Sequence, residues 1–252
     1  MGIIGKPEAM ILTLIAFGFI LMPIIGPGDG TGRIGNWLYH WQTLSTGVFA
    51  IAAAGIGYAA INGAENNRVL RSYRARLGTL PLVLSSASQY ADDVIRGLAQ
   101  ARNILAEQRD GGLTANWSPP VFPNDLPPEL REFVEVCDYE PANNLVLELL
   151  RQLQTLQARL ESLVTEESTY RIGVARNIAE YQVQAAKIRQ ICGALFPFAR
   201  KDAAHVPREL DRQSPLGTVY FIDPNAEVDR DFANVAEIFG GVDQPWWPRR
   251  DV

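Results

Sequence analysis

Two uncharged apolar runs near the N-terminus constrain this chain more than any other feature. Met10 to Ile25 (MILTLIAFGFILMPII) and Thr43 to Ile61 (TLSTGVFAIAAAGIGYAAI) contain no charged residue. A helix of about 19 residues rises roughly 28 Å, close to the thickness of a bilayer's hydrocarbon core. With Ala9 and Gly26 added, the first run approaches the same length. A helix buried in a soluble core usually keeps a polar stripe, and neither run has one. The sequence therefore predicts a transmembrane helical hairpin with spans at about 9–26 and 43–61 and a connecting loop at 27–42. Two other readings compete. The runs are a buried helix pair of a soluble protein, or the first is a cleaved signal peptide ending at Gly26-Pro27-Gly28. The proline in that site and the single basic residue ahead of it, Lys6, argue against cleavage.

Basic residues set the orientation. Arg68, Arg71, Arg74 and Arg76 follow the second run closely, whereas the connecting loop has Arg33 offset by Asp29. The positive-inside rule places both termini in the cytoplasm and the loop outside. Trp37, Tyr39 and Trp41 fall where an interfacial aromatic belt is expected. The four arginines suit contact with anionic lipid headgroups, and the acidic balance of the chain, a formal net charge of -5, argues against nucleic acid. Within the loop, Gly30 to Gly35 matches the G-x-G-x-x-G spacing of a dinucleotide-binding turn. It lacks the preceding strand and the acidic residue about twenty positions later, so it reads as a turn between spans.

Small residues recur along the second span at Ala53, Gly55, Gly57, Ala59 and Gly63. Such a face lets another helix approach closely, either the first span or a partner helix, including a second copy of the chain.

Beyond residue 67 the sequence reads as a cytoplasmic helical bundle or coiled coil over 68–200, then an acidic tail over 201–252. Pro81 is expected to open a helix that runs to about Arg109, and Pro128 a short one ending near Asp138. Leu149, Leu153, Leu156, Leu160 and Leu163 then step by three and four. Tyr170, Val174, Ile178, Tyr181, Ala185, Ile188, Cys192 and Leu195 continue the pattern. One helix of about 55 residues fits this, as does a hairpin turning near Thr165–Thr169, and the folded bundle is the expected form. In the tail, LGTVYFIDPN suggests a short strand and AEVDRDFANVAEIF an amphipathic helix, with the rest mostly irregular. Trp246 and Trp247, beside two arginines, are placed to touch the bilayer or a partner, or to cover the bundle end.

Few groupings carry chemistry. Cys137 and Cys192 form no C-x-x-C pair, and the two histidines, His40 and His205, fall on opposite sides of the predicted membrane. Asp223 to Asp231 alternates oxygen ligands like a calcium loop, but Val228 and Asn234 stand where glycine and glutamate are required. No catalytic residue, metal ligand set or cofactor is predicted.

WQTLSTGVFAIAAAG, LPLVLSSASQYA and LFPFAR, taken in order, give the chain a family likeness over about residues 37 to 200. It resembles a group of two-span bacterial inner-membrane proteins, mostly alphaproteobacterial, with a WQTL-type second span and a closing LFPYAR-type helix motif. The matched positions are Trp41 to Leu44, Leu80 to Ser85 and Leu195 to Arg200. The resemblance implies an inner-membrane location and carries no activity. Taken together, the expectation is a non-enzymatic scaffold or accessory subunit of a membrane complex, binding lipid and a protein partner or another copy. The alternatives are a membrane-anchored signalling protein and an enzyme with an unfamiliar site.

Overall fold

The computed structural model describes residues 32–107, 117–165 and 171–247, leaving aside the side chains of 32–45, 48, 49, 164, 165 and 171–175. The predicted first span and residues 27–31 of the loop lie outside the described residues. The chain divides into two units between Arg68 and Val69. Among the described residues every regular element is helical.

Helix α1 (Gly32–Glu107) departs from expectation at two places. It begins inside the segment read as a connecting loop, so residues 32–42 are helical. It also passes through Pro81, which was expected to open a new helix. Proline at that position leaves the Leu77 carbonyl without its usual donor and crowds the preceding turn. Burial outweighs this, because Leu77 and Leu80 before the proline and Leu84 after it share one buried face. The face continues through Ala87, Ala91, Val94, Ile95 and Leu98.

Residues 117–125 return along α1. The Trp117 indole Nε1–H donates to the Gly97 carbonyl at 2.7 Å. A Cβ on Gly97 would stand 3.3 Å from Pro120 Cγ, so glycine lets the proline-rich stretch lie close against the helix. Helix α2 (Leu126–Val136) carries its prolines in the first turn, where the missing N–H has no intrahelical acceptor to lose. It buries Leu126, Leu130 and Phe133.

Helices α3 (Glu140–Thr165) and α4 (Arg171–Ala199) pack against each other as a hairpin. Leu149, Leu153, Leu156 and Leu160 are essentially inaccessible, and Leu163 is buried. From α4, Ile178, Ala185, Ile188, Cys192 and Leu195 complete the same core. Helix α4 stops on Lys201, which has φ 63°. The Lys201 N–H donates to Phe198 O at 3.0 Å and the Asp202 N–H to Pro197 O at 2.8 Å, the paired bonds of a Schellman cap.

The segment after residue 200 is not the mostly irregular tail that its charge and proline content suggest. Residues expected as a strand form helix α5 (Gln213–Ile222), followed by a 3-10 turn at Pro224–Val228 and helix α6 (Arg230–Gly240). TVYFI has strand propensity, but Leu216 and Val219, three residues apart, both bury against the bundle. Asp211 Oδ1 accepts the Ser214 N–H at 2.6 Å at the start of α5, and Asp229 Oδ1 accepts the Phe232 N–H at 2.7 Å at the start of α6. Both helices contact α4. An isolated antiparallel bridge between Leu210 and Trp247 closes the segment on itself.

Candidate functional site

The small-residue face predicted in the second span lies in α1. Residues 50–61 are exposed on every side of that helix apart from a half-buried Ala52. Ile51 and Tyr58 are 75% and 70% exposed, and a Cβ built on Gly55, Gly57 or Gly63 meets open space. Among the described residues no helix is long and apolar enough to cross a membrane, the side chains of 43–45, 48 and 49 lying outside that set. The side chains of Trp37, Tyr39 and Trp41 also lie outside it. Arg68, Arg71 and Arg74 are exposed. Arg76 differs, since it reaches α2 and pairs with Glu132 and, at 3.7 Å, with Glu129.

Trp246 is buried rather than presented outward. Its Nε1–H donates to Gln190 Oε1 at 2.6 Å, while its backbone N–H bonds Leu210 O. Trp247 is half-buried against the same core.

A buried polar cluster joins α1, α4 and the C-terminal segment. Arg102 Nη2 donates to Asp223 Oδ2 at 2.7 Å, and Gln182 Nε2 reaches the same oxygen at 2.9 Å. Arg102 Nε also lies 3.4 Å from Asp229 Oδ2. Asp223 is 4% exposed and Gln182 fully buried, so each loses water that its partners must replace. Gln182 Oε1 and Arg102 Nη1 make no further bond among the described residues. The cluster ties α1, α4 and the C-terminal segment together.

A concavity of about 350 Å³ rich in basic side chains lies between α3, α4 and α6. Arg151, Arg159, Arg176, Lys187 and Arg212 line it, with Glu180 as the lining carboxylate. Two cations are locally neutralised, Arg176 by Glu180 at 3.2 Å and Arg151 by Glu148 on the same helix. Arg159 is held differently: it donates to Gln184 Oε1 at 2.8 Å and covers the Tyr181 ring. Gln184, almost fully buried, in turn donates to the Gln152 carbonyl. Arg212 donates to the backbone carbonyls of Gln244 and Phe239 and lies over the Phe239 ring. Lys187 Nζ sits 4.3 Å from the centroid of that ring. Val183, Val235, Ile238 and Phe239 supply an apolar wall. Nothing in the sequence pointed to these cations, which are scattered over α3, α4 and the start of α5.

The cysteines are set for packing. Burial pushes the Cys192 thiol up to about 12, helped by the nearby Asp92 charge, and burial also raises Cys137. Burial, then Glu161, raises the Tyr90 phenol to about 12. His205 Nδ1 meets the Tyr139 hydroxyl at 3.2 Å. Among the described residues no group of His, Cys, Asp and Glu is arranged to hold a metal ion. No protein-family model, curated protein or solved structure matches the chain.

Proposed function

We propose that this protein is a non-enzymatic helical scaffold or accessory subunit, anchored in a bacterial inner membrane through the N-terminal part of α1. One observation carries the reading: from Ala50 to Ile61 the helix is uncharged and exposed nearly all round. In water each large apolar side chain left exposed forgoes about 1.5–3 kcal/mol of burial. A helix apolar on every face recovers that energy in a bilayer or under a partner, and glycines on one side let a second helix come close. Exposed Arg68, Arg71 and Arg74 then fall at the cytoplasmic headgroup level. A helical bundle with a continuous leucine core supplies the scaffold on the cytoplasmic side.

Alkaline carbonate washing of membranes, followed by mild detergent extraction and mass measurement, tests this. The expected result is retention through the wash and extraction as an assembly larger than one chain. Release by carbonate would remove the anchor, and a strict monomer with nothing reproducible bound would remove the scaffold.

A further inference from the structure

We infer that the basic cleft between α3, α4 and α6 binds a small phosphate ester. The argument begins with how its cations are held. A guanidinium paired with a carboxylate has little charge left for a ligand, and Arg151 and Arg176 are in that state. Arg159 and Arg212 instead rest on neutral groups, namely a glutamine oxygen, two backbone carbonyls and aromatic faces. Neither makes an ion pair among the described residues. Neutral partners fix the direction of a guanidinium and leave its charge uncancelled. The cleft is therefore a preorganised positive site in a chain whose overall charge is negative.

The floor is built for this purpose rather than for packing. Gln184 is among the most deeply buried polar residues, 6% exposed, and its amide is used at both ends, accepting from Arg159 and donating to the Gln152 carbonyl. A leucine there would complete the core at lower cost; the glutamine instead anchors an arginine at the cleft. Ligand class follows from charge and size. Forked guanidinium groups from separate helices suit an oxyanion with several acceptor oxygens, which favours phosphate over a lone carboxylate. The volume, about 350 Å³, suits a small organic molecule, and Val235, Ile238 and Phe239 offer its carbon frame an apolar wall. Such an ester arrives either as a free metabolite or as the headgroup of a phospholipid.

Titration calorimetry on the purified full-length chain tests this, with phenyl phosphate as the soluble probe and phosphatidylcholine vesicles with or without phosphatidic acid as the lipid probe. Phenyl phosphate, or the phosphatidic acid vesicles relative to plain ones, should bind. Arg159→Gln should weaken that binding at least about tenfold, measured well below the variant's own thermal midpoint, which falls because the buried Gln184 oxygen loses its donor. Glu180→Gln should tighten it severalfold, since it removes the lining carboxylate and releases Arg176; a purely structural role for these residues predicts no such gain. Binding of phenyl phosphate identifies a free ester, and binding of phosphatidic acid alone identifies a headgroup. Failure of both probes, or binding indifferent to Arg159→Gln and Glu180→Gln, overturns the proposal. Because exposed Arg68, Arg71 and Arg74 also attract anionic vesicles, only vesicle binding that is lost in Arg159→Gln counts for the cleft, whether or not α1 enters a membrane.

Discussion

Cys192 shows how completely a side chain can be committed to packing. It is wholly buried, with its thiol held protonated up to about 12 against an ordinary value of 9.0. In the unfolded chain the thiol ionises near its ordinary value, while the folded chain keeps its proton until the higher one. Between these limits the unfolded state binds fewer protons, so stability is fully present below about pH 9 and falls as pH rises toward about 12. Cys192→Ala should remove one proton from that dependence, a slope of about 1.4 kcal/mol per pH unit at most. Urea denaturation at about pH 8 and about pH 10.5 checks it: the variant should lose less stability between the two than the parent chain does. At this scale the sequence was a fair guide to what is buried and a poor one to how a cation is held. The burial of Cys192 follows from its place in the apolar period of α4. The orientation of Arg159 depends on Gln184, a neighbour on another helix that no local pattern reveals.

Among the elements, those with a long, strong period were legible and those governed by a local rule were not. The leucines of α3 announce a buried face because three-and-four spacing leaves a helix no other way to hide them. Pro81 misleads because proline is common in a first helical turn, and only the flanking burial of Leu77, Leu80 and Leu84 shows that the helix continues. Helix α5 misleads for the converse reason: residues with strand propensity take helical form because the surface they cover accepts Leu216 and Val219 on one face. The end of α4 yields a prediction of its own. Lys201 occupies the left-handed position of the cap, where a side chain crowds the backbone and glycine does not. Lys201→Gly should raise the stability of the chain by about 1 kcal/mol, read as a higher denaturation midpoint with an unchanged slope.

For the molecule as a whole, the C-terminal segment is part of the bundle's interior. Asp223 accepts from Arg102 of α1 and Gln182 of α4, so one carboxylate joins three separate stretches of chain. Removing one member of a buried ion pair leaves the other desolvated and unpaired. Asp223→Ala is therefore expected to cost about 3 kcal/mol in chemical denaturation of the full chain, well beyond the typical loss for an ordinary surface aspartate. An unaltered midpoint would show that Asp229 alone satisfies Arg102. That joint also has a meaning in time. Arg102 and Asp223 are separated by 121 positions, so during synthesis the guanidinium waits for its carboxylate. At elongation rates of about 5–20 residues per second the delay is on the order of ten seconds. A chain cut before residue 223 lacks both carboxylates that pair with Arg102, Asp223 and Asp229. Truncation there leaves a largely buried guanidinium without a charge partner, a cost that chains reaching Asp229 avoid.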